Sequence, residues 1–160
     1  RRLLRVMDRF LSTAVMNIDA KGRVSVPGRF RQVILARGYQ ELYALRCLDT
    51  PALDVGGPDL LDAYEARIAS EDPFLQTADD MSYFIHGDGD FLKLDSEGRL
   101  AVSDFIRSHT QVSDRIAFVG RGNHFQIWEP ERLSVHSAQV RARLRKLRQA
   151  RLGADQGEPE

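Results

Sequence analysis

Asp19-Ala20-Lys21-Gly22-Arg23 recurs as Asp95-Ser96-Glu97-Gly98-Arg99, at an offset of 76 residues. The flanks repeat in register. Val15 and Ile18 match Phe91 and Leu94, Val24 and Val26 match Leu100 and Val102, Phe30 matches Ile106, and Arg31 matches Arg107. Self-similarity at a fixed offset marks duplicated structural units. Each unit is too small to bury a core of its own, so the economical arrangement is two units around one core. The repeat therefore predicts a pseudo-symmetric domain showing two similar loops, an arrangement suited to a partner that is itself repetitive.

Each copy reads as a β-hairpin. In the first, Thr13 to Ile18 alternates, Asp19 to Gly22 turns, and Arg23 to Val26 resumes as a strand. Aspartate bonds its own downstream backbone, and glycine supplies the positive φ of a tight connection. Pro27 ends the strand and opens a short helix, Gly28 to Ala36, with Phe30, Val33 and Ile34 on one side. Gly38 stops it and Glu41 to Leu48 returns as a strand. The second copy follows with Phe91 to Leu94, Arg99 to Val102, a helix from about Asp104 to His109, and a strand Arg115 to Val119. It adds a turn, Gly120 to Asn123, and a strand His124 to Trp128. Between the copies Leu60, Leu61, Tyr64 and Ile68 stripe a helix over Asp59 to Ser70, and Glu71 to Ala78 continues as a second helix or loop. A last helix starts at Pro130 and runs to about Leu152; the polar stretch 153–160 reads as disordered.

The chain has 160 residues, 42% of them hydrophobic, enough for one core plus tails. A single cysteine, Cys47, excludes an internal disulfide, and with no zinc-spaced Cys/His pattern a reducing, cytoplasmic setting is expected. Arg5, Asp8 and Arg9 interrupt any apolar leader, and no apolar run is long enough to span a bilayer. The expectation is a soluble, non-secreted protein.

A net charge of +0 conceals strong segregation. Residues 1–46 hold ten Lys/Arg against three Asp/Glu, and residues 49–90 hold eleven acids against Arg67 alone. Residues 132–151 carry seven bases and no acid. Segregated charge suits a basic face for nucleic acid with an acidic face turned away, although charges that interleave in the fold would give the same sequence.

The D-x-x-G-R element admits two readings. Asp19 with Arg23, and Asp95 with Arg99, sit on opposite arms of a tight turn where pairing would pin the loop. The arginines also suit recognition, since guanidinium binds phosphate or a guanine edge bidentately and a β-ribbon loop fits the major groove. The first copy offers Lys21, Arg23, Arg29 and Arg31 within a short span, whereas the second has Glu97 in place of Lys21 and Phe105 in place of Arg29. Loop one is expected to read and loop two mainly to scaffold. The basic last helix reads as a solvated amphipath, a phosphate contact or a docking element. His86, His109, His124 and His136 lack the spacing of metal ligands or a nucleophile–base pair, and no phosphate-binding glycine loop is present, so neither metal nor cofactor nor enzymatic activity is expected.

Phe10, the run Asn17 to Pro27, and Phe30-Arg31 closely resemble the N-terminal half of MraZ proteins; Leu94 to Leu100 and Phe125 to Trp128 resemble the second half. The likeness covers roughly residues 9–147. MraZ proteins belong to the SpoVT/AbrB-like superfamily. The resemblance implies an α+β fold of two tandem pseudo-symmetric swapped-hairpin AbrB-like β repeats with short helices and a C-terminal helix. The expected division is an N-terminal extension (1–8), first repeat (9–57), helical inter-repeat segment (58–84), second repeat (85–129), basic C-terminal helix (130–152) and disordered tail (153–160). It further implies a nucleoid-associated cytoplasmic transcriptional regulator, usually a repressor, of the bacterial division and cell-wall gene cluster. Such a protein binds promoter direct repeats in double-stranded DNA as a homo-oligomeric ring, without a membrane or small-molecule substrate. Carried onto this chain, Arg23 leads the DNA contacts, supported by Lys21, with Arg29, Arg31 and Arg99 as further candidates and Asp19, Gly22, Asp95 and Gly98 as turn residues. Ser103 stands where Pro27 predicts a proline, and residues 49–58 lack the aromatic-rich pattern usual in the family. The rival is an AbrB-like, antitoxin-like adaptor that docks a protein through its basic C-terminal helix.

Overall fold

The computed structural model describes residues 8–156; most of the expected N-terminal extension and the last four residues of the expected tail lie outside them. The chain forms two units, one ending at Glu129 and the other beginning at Pro130. In the first unit the order is β1 (Thr13–Asn17), β2 (Arg23–Ser25), α1 (Gly28–Ala36), β3 (Leu42–Arg46), β4 (Leu53–Gly56) and α2 (Pro58–Ala69). It continues with α3 (Gln76–Ser82), a π-helical turn (Tyr83–Gly87), β5 (Gly89–Leu92), β6 (Arg99–Ala101), α4 (Asp104–Thr110), β7 (Arg115–Gly120) and β8 (Phe125–Trp128). The second unit is α5 (Pro130–Gln156).

All ladders are antiparallel: a six-stranded sheet in the order β1-β7-β8-β4-β3-β5, and a two-stranded ribbon of β2 and β6. The expected local hairpins close only at their turns. Asp19 N donates to Arg23 O at 2.8 Å, and Ile18 bridges Val24, but then β1 leaves to pair with β7 and β2 with β6. In the second copy Asp95 N donates to Arg99 O at 2.9 Å before β5 leaves for β3. Among the described residues only β3–β4 and β7–β8 are ladders within one copy. The reason is burial. A three-residue arm cannot cover its own apolar face, whereas crossing places Val24 opposite Leu100, each 1% exposed, inside the shared core.

That core gathers Phe10, Phe30, Phe118 and Phe125, with ring centroids 5.0 to 6.4 Å apart, together with Val26, Ile34, Leu42, Ile106, Ile116 and Ile127. A smaller cluster places Tyr43, Leu45 and Ile85 against Leu60, Leu61, Tyr64 and Ile68 of α2. The α2 stripe therefore meets the sheet face opposite α1. β4 lies in a stretch that gave no strand pattern, because its four residues fall between Pro51 and Gly57, whose turn character hides so short a run. α5 continues past Leu152 to Gln156; a single exposed helical glycine, Gly153, costs only about 1 kcal/mol and does not end a long helix.

Candidate nucleic-acid interface

The two D-x-x-G-R turns adopt the same hydrogen-bonded geometry. In loop one Asp19 Oδ1 accepts from the Lys21 and Arg23 amides, both at 2.9 Å, and Asp19 Oδ2 accepts from Arg23 Nε at 3.0 Å. In loop two Asp95 Oδ1 accepts from the Glu97 and Arg99 amides at 2.9 Å, and Oδ2 from Arg99 Nε at 2.8 Å. Gly22 and Gly98 hold φ of +74° and +76°, where any side chain would be strained. These bonds hold both carboxyls below the ordinary carboxylate range. The amides of Arg23 and Arg99 are the largest cause in their respective loops, with smaller contributions from the second amide and the guanidinium.

Aspartate thus binds the loop backbone with one oxygen and aims the arginine with the other. Arg23 keeps both Nη groups out of any hydrogen bond among the described residues, with 30% of its side chain exposed, next to exposed Lys21. Arg99 differs, because its Nη2 meets Glu97 Oε2 at 3.2 Å. The guanidinium of Arg99 has its pKa raised, chiefly by the hydrogen bond to Asp95.

The loops flank the same ribbon. Gly22 O accepts from Val102 N at 2.8 Å, and Gly98 O accepts from Val26 N at 3.0 Å. Gly22 and Val26 are four residue steps apart along the strand, so the loops stand ~13 Å apart. The flanking arginines, however, are exchanged between copies. Arg31 of α1 lies against loop two, where a Cβ on Gly98 would overlap its side chain. Arg107 of α4 comes within 4.0 Å of where a Cβ on Gly22 would stand, and donates to the carbonyls of Val102, Val112 and Ser113. Lys21 and Arg23 therefore remain in loop one as exposed or half-exposed cations, Arg29 is exposed on α1, and Arg31 does not join loop one. The matched spacing of Arg31 and Arg107 gave their equivalence, but only the crossing of the copies decides which loop each one touches.

A second polar cluster lies away from the loops. Asp54 accepts from Gln126 Nε2 at 2.8 Å and Tyr64 OH at 3.1 Å and faces His124 Nε2 at 3.2 Å, while Gln126 Oε1 accepts from Trp128 Nε1 at 2.9 Å. Burial pushes the Asp54 carboxyl up, but the hydrogen bonds from His124, Gln126 and Tyr64 outweigh it and leave it lowered. Among the described residues no group of three or more His, Cys, Asp or Glu is placed to hold a metal ion, and no helix is long and apolar enough to cross a membrane.

Two matching arginine turns thus flank one ribbon. Over 135 residues, 84% of this chain and 93% of its counterpart, the sequence is 56% identical to the transcriptional regulator MraZ of Rhizobium leguminosarum bv. trifolii. The chain belongs to the MraZ family of transcriptional regulators. It is also 44% identical over 144 residues to MraZ of Xanthobacter autotrophicus, covering 90% of this chain and 92% of that one. Against MraZ of Azorhizobium caulinodans it is 40% identical over 151 residues, 94% of this chain and 96% of the relative. No protein-family model matches the sequence. As a member of the MraZ family the chain is a transcriptional regulator and not an enzyme.

Proposed function

We propose that this regulator acts by sequence-specific binding of promoter direct repeats in double-stranded DNA, with loop one as the reader. The carrying observation is the Arg23 guanidinium, fixed through Nε to Asp19 and presenting both Nη groups beside Lys21. Arg29, exposed on α1, supplies a further phosphate contact, while Arg31 and Arg99 stand at loop two. The cross-copy ladders support a fold of two tandem, pseudo-symmetric swapped-hairpin repeats, in which each copy completes the other's sheet. One small loop makes few phosphate contacts, so several subunits engaging evenly spaced repeats gain affinity through avidity. A closed homo-oligomeric ring is the assembly that presents identical loops in this way. The target follows from the family resemblance: the division and cell-wall gene cluster, repressed by a nucleoid-associated cytoplasmic protein.

The test is fluorescence anisotropy at fixed physiological salt, on a duplex carrying the chain's own upstream promoter repeats and on a scrambled duplex. Wild type is expected to prefer the promoter duplex, and Arg23→Ala to lose that preference while the oligomer persists. Equal binding to both duplexes by wild type sinks the reading. The adaptor alternative draws on α5, where exposed Leu144 and Leu147 lie among bases; binding to neither duplex would favour it.

A further inference from the structure

Loop two carries the same turn and the same arginine as loop one, yet its arginine is engaged twice. Arg99 Nε donates to Asp95 as Arg23 does to Asp19, and Nη2 is then met by Glu97 at 3.2 Å. The position of Glu97 is that of Lys21 in loop one, and both amides bond their aspartate at 2.9 Å. The exchange therefore alters the side chain and leaves the turn alone. It also lowers the local charge by two: Asp19, Lys21 and Arg23 leave one net positive charge, whereas Asp95, Glu97 and Arg99 leave one net negative, which Arg31 beside Gly98 brings only to zero. The two loops stand ~13 Å apart on one ribbon. Their backbones match, so loop geometry gives no reason for one to engage phosphate and the other not.

We propose that Glu97 is the residue that makes the loops unequal. It competes with phosphate for the Arg99 guanidinium and cancels the positive charge that Arg31 brings to loop two, so each subunit engages DNA through loop one. This inference rests on the DNA-binding reading above. Glu97 is 69% exposed on its side-chain surface, so charge balance rather than a locked geometry carries the effect. A release of that charge is therefore expected to convert loop two into a second phosphate contact.

Glu97→Gln keeps the shape and removes the charge. Full-length wild type, Glu97→Gln, Arg99→Gln, the double variant and Arg23→Ala are titrated against both duplexes across a salt series. Arg99→Gln alone is expected to leave affinity within about twofold of wild type. Glu97→Gln tightens binding to both duplexes and steepens the slope of log K against log salt by about 0.9, one phosphate's worth. Adding Arg99→Gln to it returns both quantities to wild type. The inference is overturned if Arg99→Gln in wild type costs as much as Arg23→Ala. It is equally overturned if Glu97→Gln changes neither affinity nor slope, or if its gain survives loss of Arg99. A wild type that binds no duplex removes the DNA-binding reading and this inference together. A wild type sensitive to Arg23→Ala but indifferent to Glu97→Gln removes this one alone.

Discussion

Asp19 and Arg23 act as one unit, since the carboxylate that fixes the turn also aims the guanidinium. Replacing Asp19 by alanine is expected to weaken promoter binding several-fold through a loosened loop, with little change in melting temperature, because the pair is on the surface. The pH dependence has a fixed sign. A carboxyl whose native pKa is depressed contributes fully above its ordinary value and loses that contribution as pH falls through the lower native one. Loop-dependent binding should therefore stay level from neutral pH to about 4 and fall below it, as anisotropy against pH would show. The glycines differ in their surroundings. Gly22→Ala and Gly98→Ala each place a side chain at positive φ, costing about 1–2 kcal/mol in urea unfolding. Gly98→Ala should cost more, because the Arg31 stem must move, and Arg31→Ala in that background should recover the excess. An equal cost for both glycine variants would refute the Arg31 contact.

Among the elements, β4, β8 and α2 are tied by Asp54, which satisfies Gln126, Tyr64 and His124 together. Asp54→Ala leaves those groups without their partner in a half-buried site and is expected to cost about 2–3 kcal/mol in denaturant unfolding. The native Asp54 pKa is lowered, so its stabilisation is complete above the ordinary carboxylate value of about 3.9 and declines as pH drops through the native one. Wild type and variant should accordingly converge in stability in acid. The thiol of Cys47, pushed up to about 12 by burial first and by Asp54 second, stays protonated at neutral pH and unreactive as a nucleophile. Element boundaries with local punctuation were legible: Pro27 and Gly38 frame α1, and the 76-residue offset carries β2 onto β6 and the start of α1 onto that of α4. β4 was not legible, since four residues give no period. Nor were the partners of β1 and β5, because alternation states which face is apolar without naming the strand alongside.

Across the molecule, charge is sorted along the chain. The acidic stretch 49–90 surrounds α2 and α3, whereas the side chains of Arg141, Arg143, Arg145, Lys146, Arg148 and Arg151 of α5 make no ion pair or hydrogen bond among the described residues. Under the proposed ring, these opposite charges would suit a head-to-tail contact between copies of the chain. Replacing Arg141, Arg145 and Arg148 together with glutamine is expected to shift sedimentation toward smaller species at high dilution. An oligomer that withstands both dilution and the triple substitution would rule out α5 as the docking element.

Residue identity alone shows that the D-x-x-G-R element occurs twice, that each occurrence carries an arginine on a glycine-closed turn, and that loop one is the more basic of the two. Those properties reside in residue identity and short spacing, which local physics reads directly. It takes the folded chain to show which strands pair (β1 with β7, β2 with β6, β5 with β3), that Arg31 lies at loop two and Arg107 near loop one, and that Asp54 ties β4 to β8. Each of these depends on which segments meet across the shared core. That choice is made by burying Val24 against Leu100 and closing four phenylalanines together, and no local pattern encodes it.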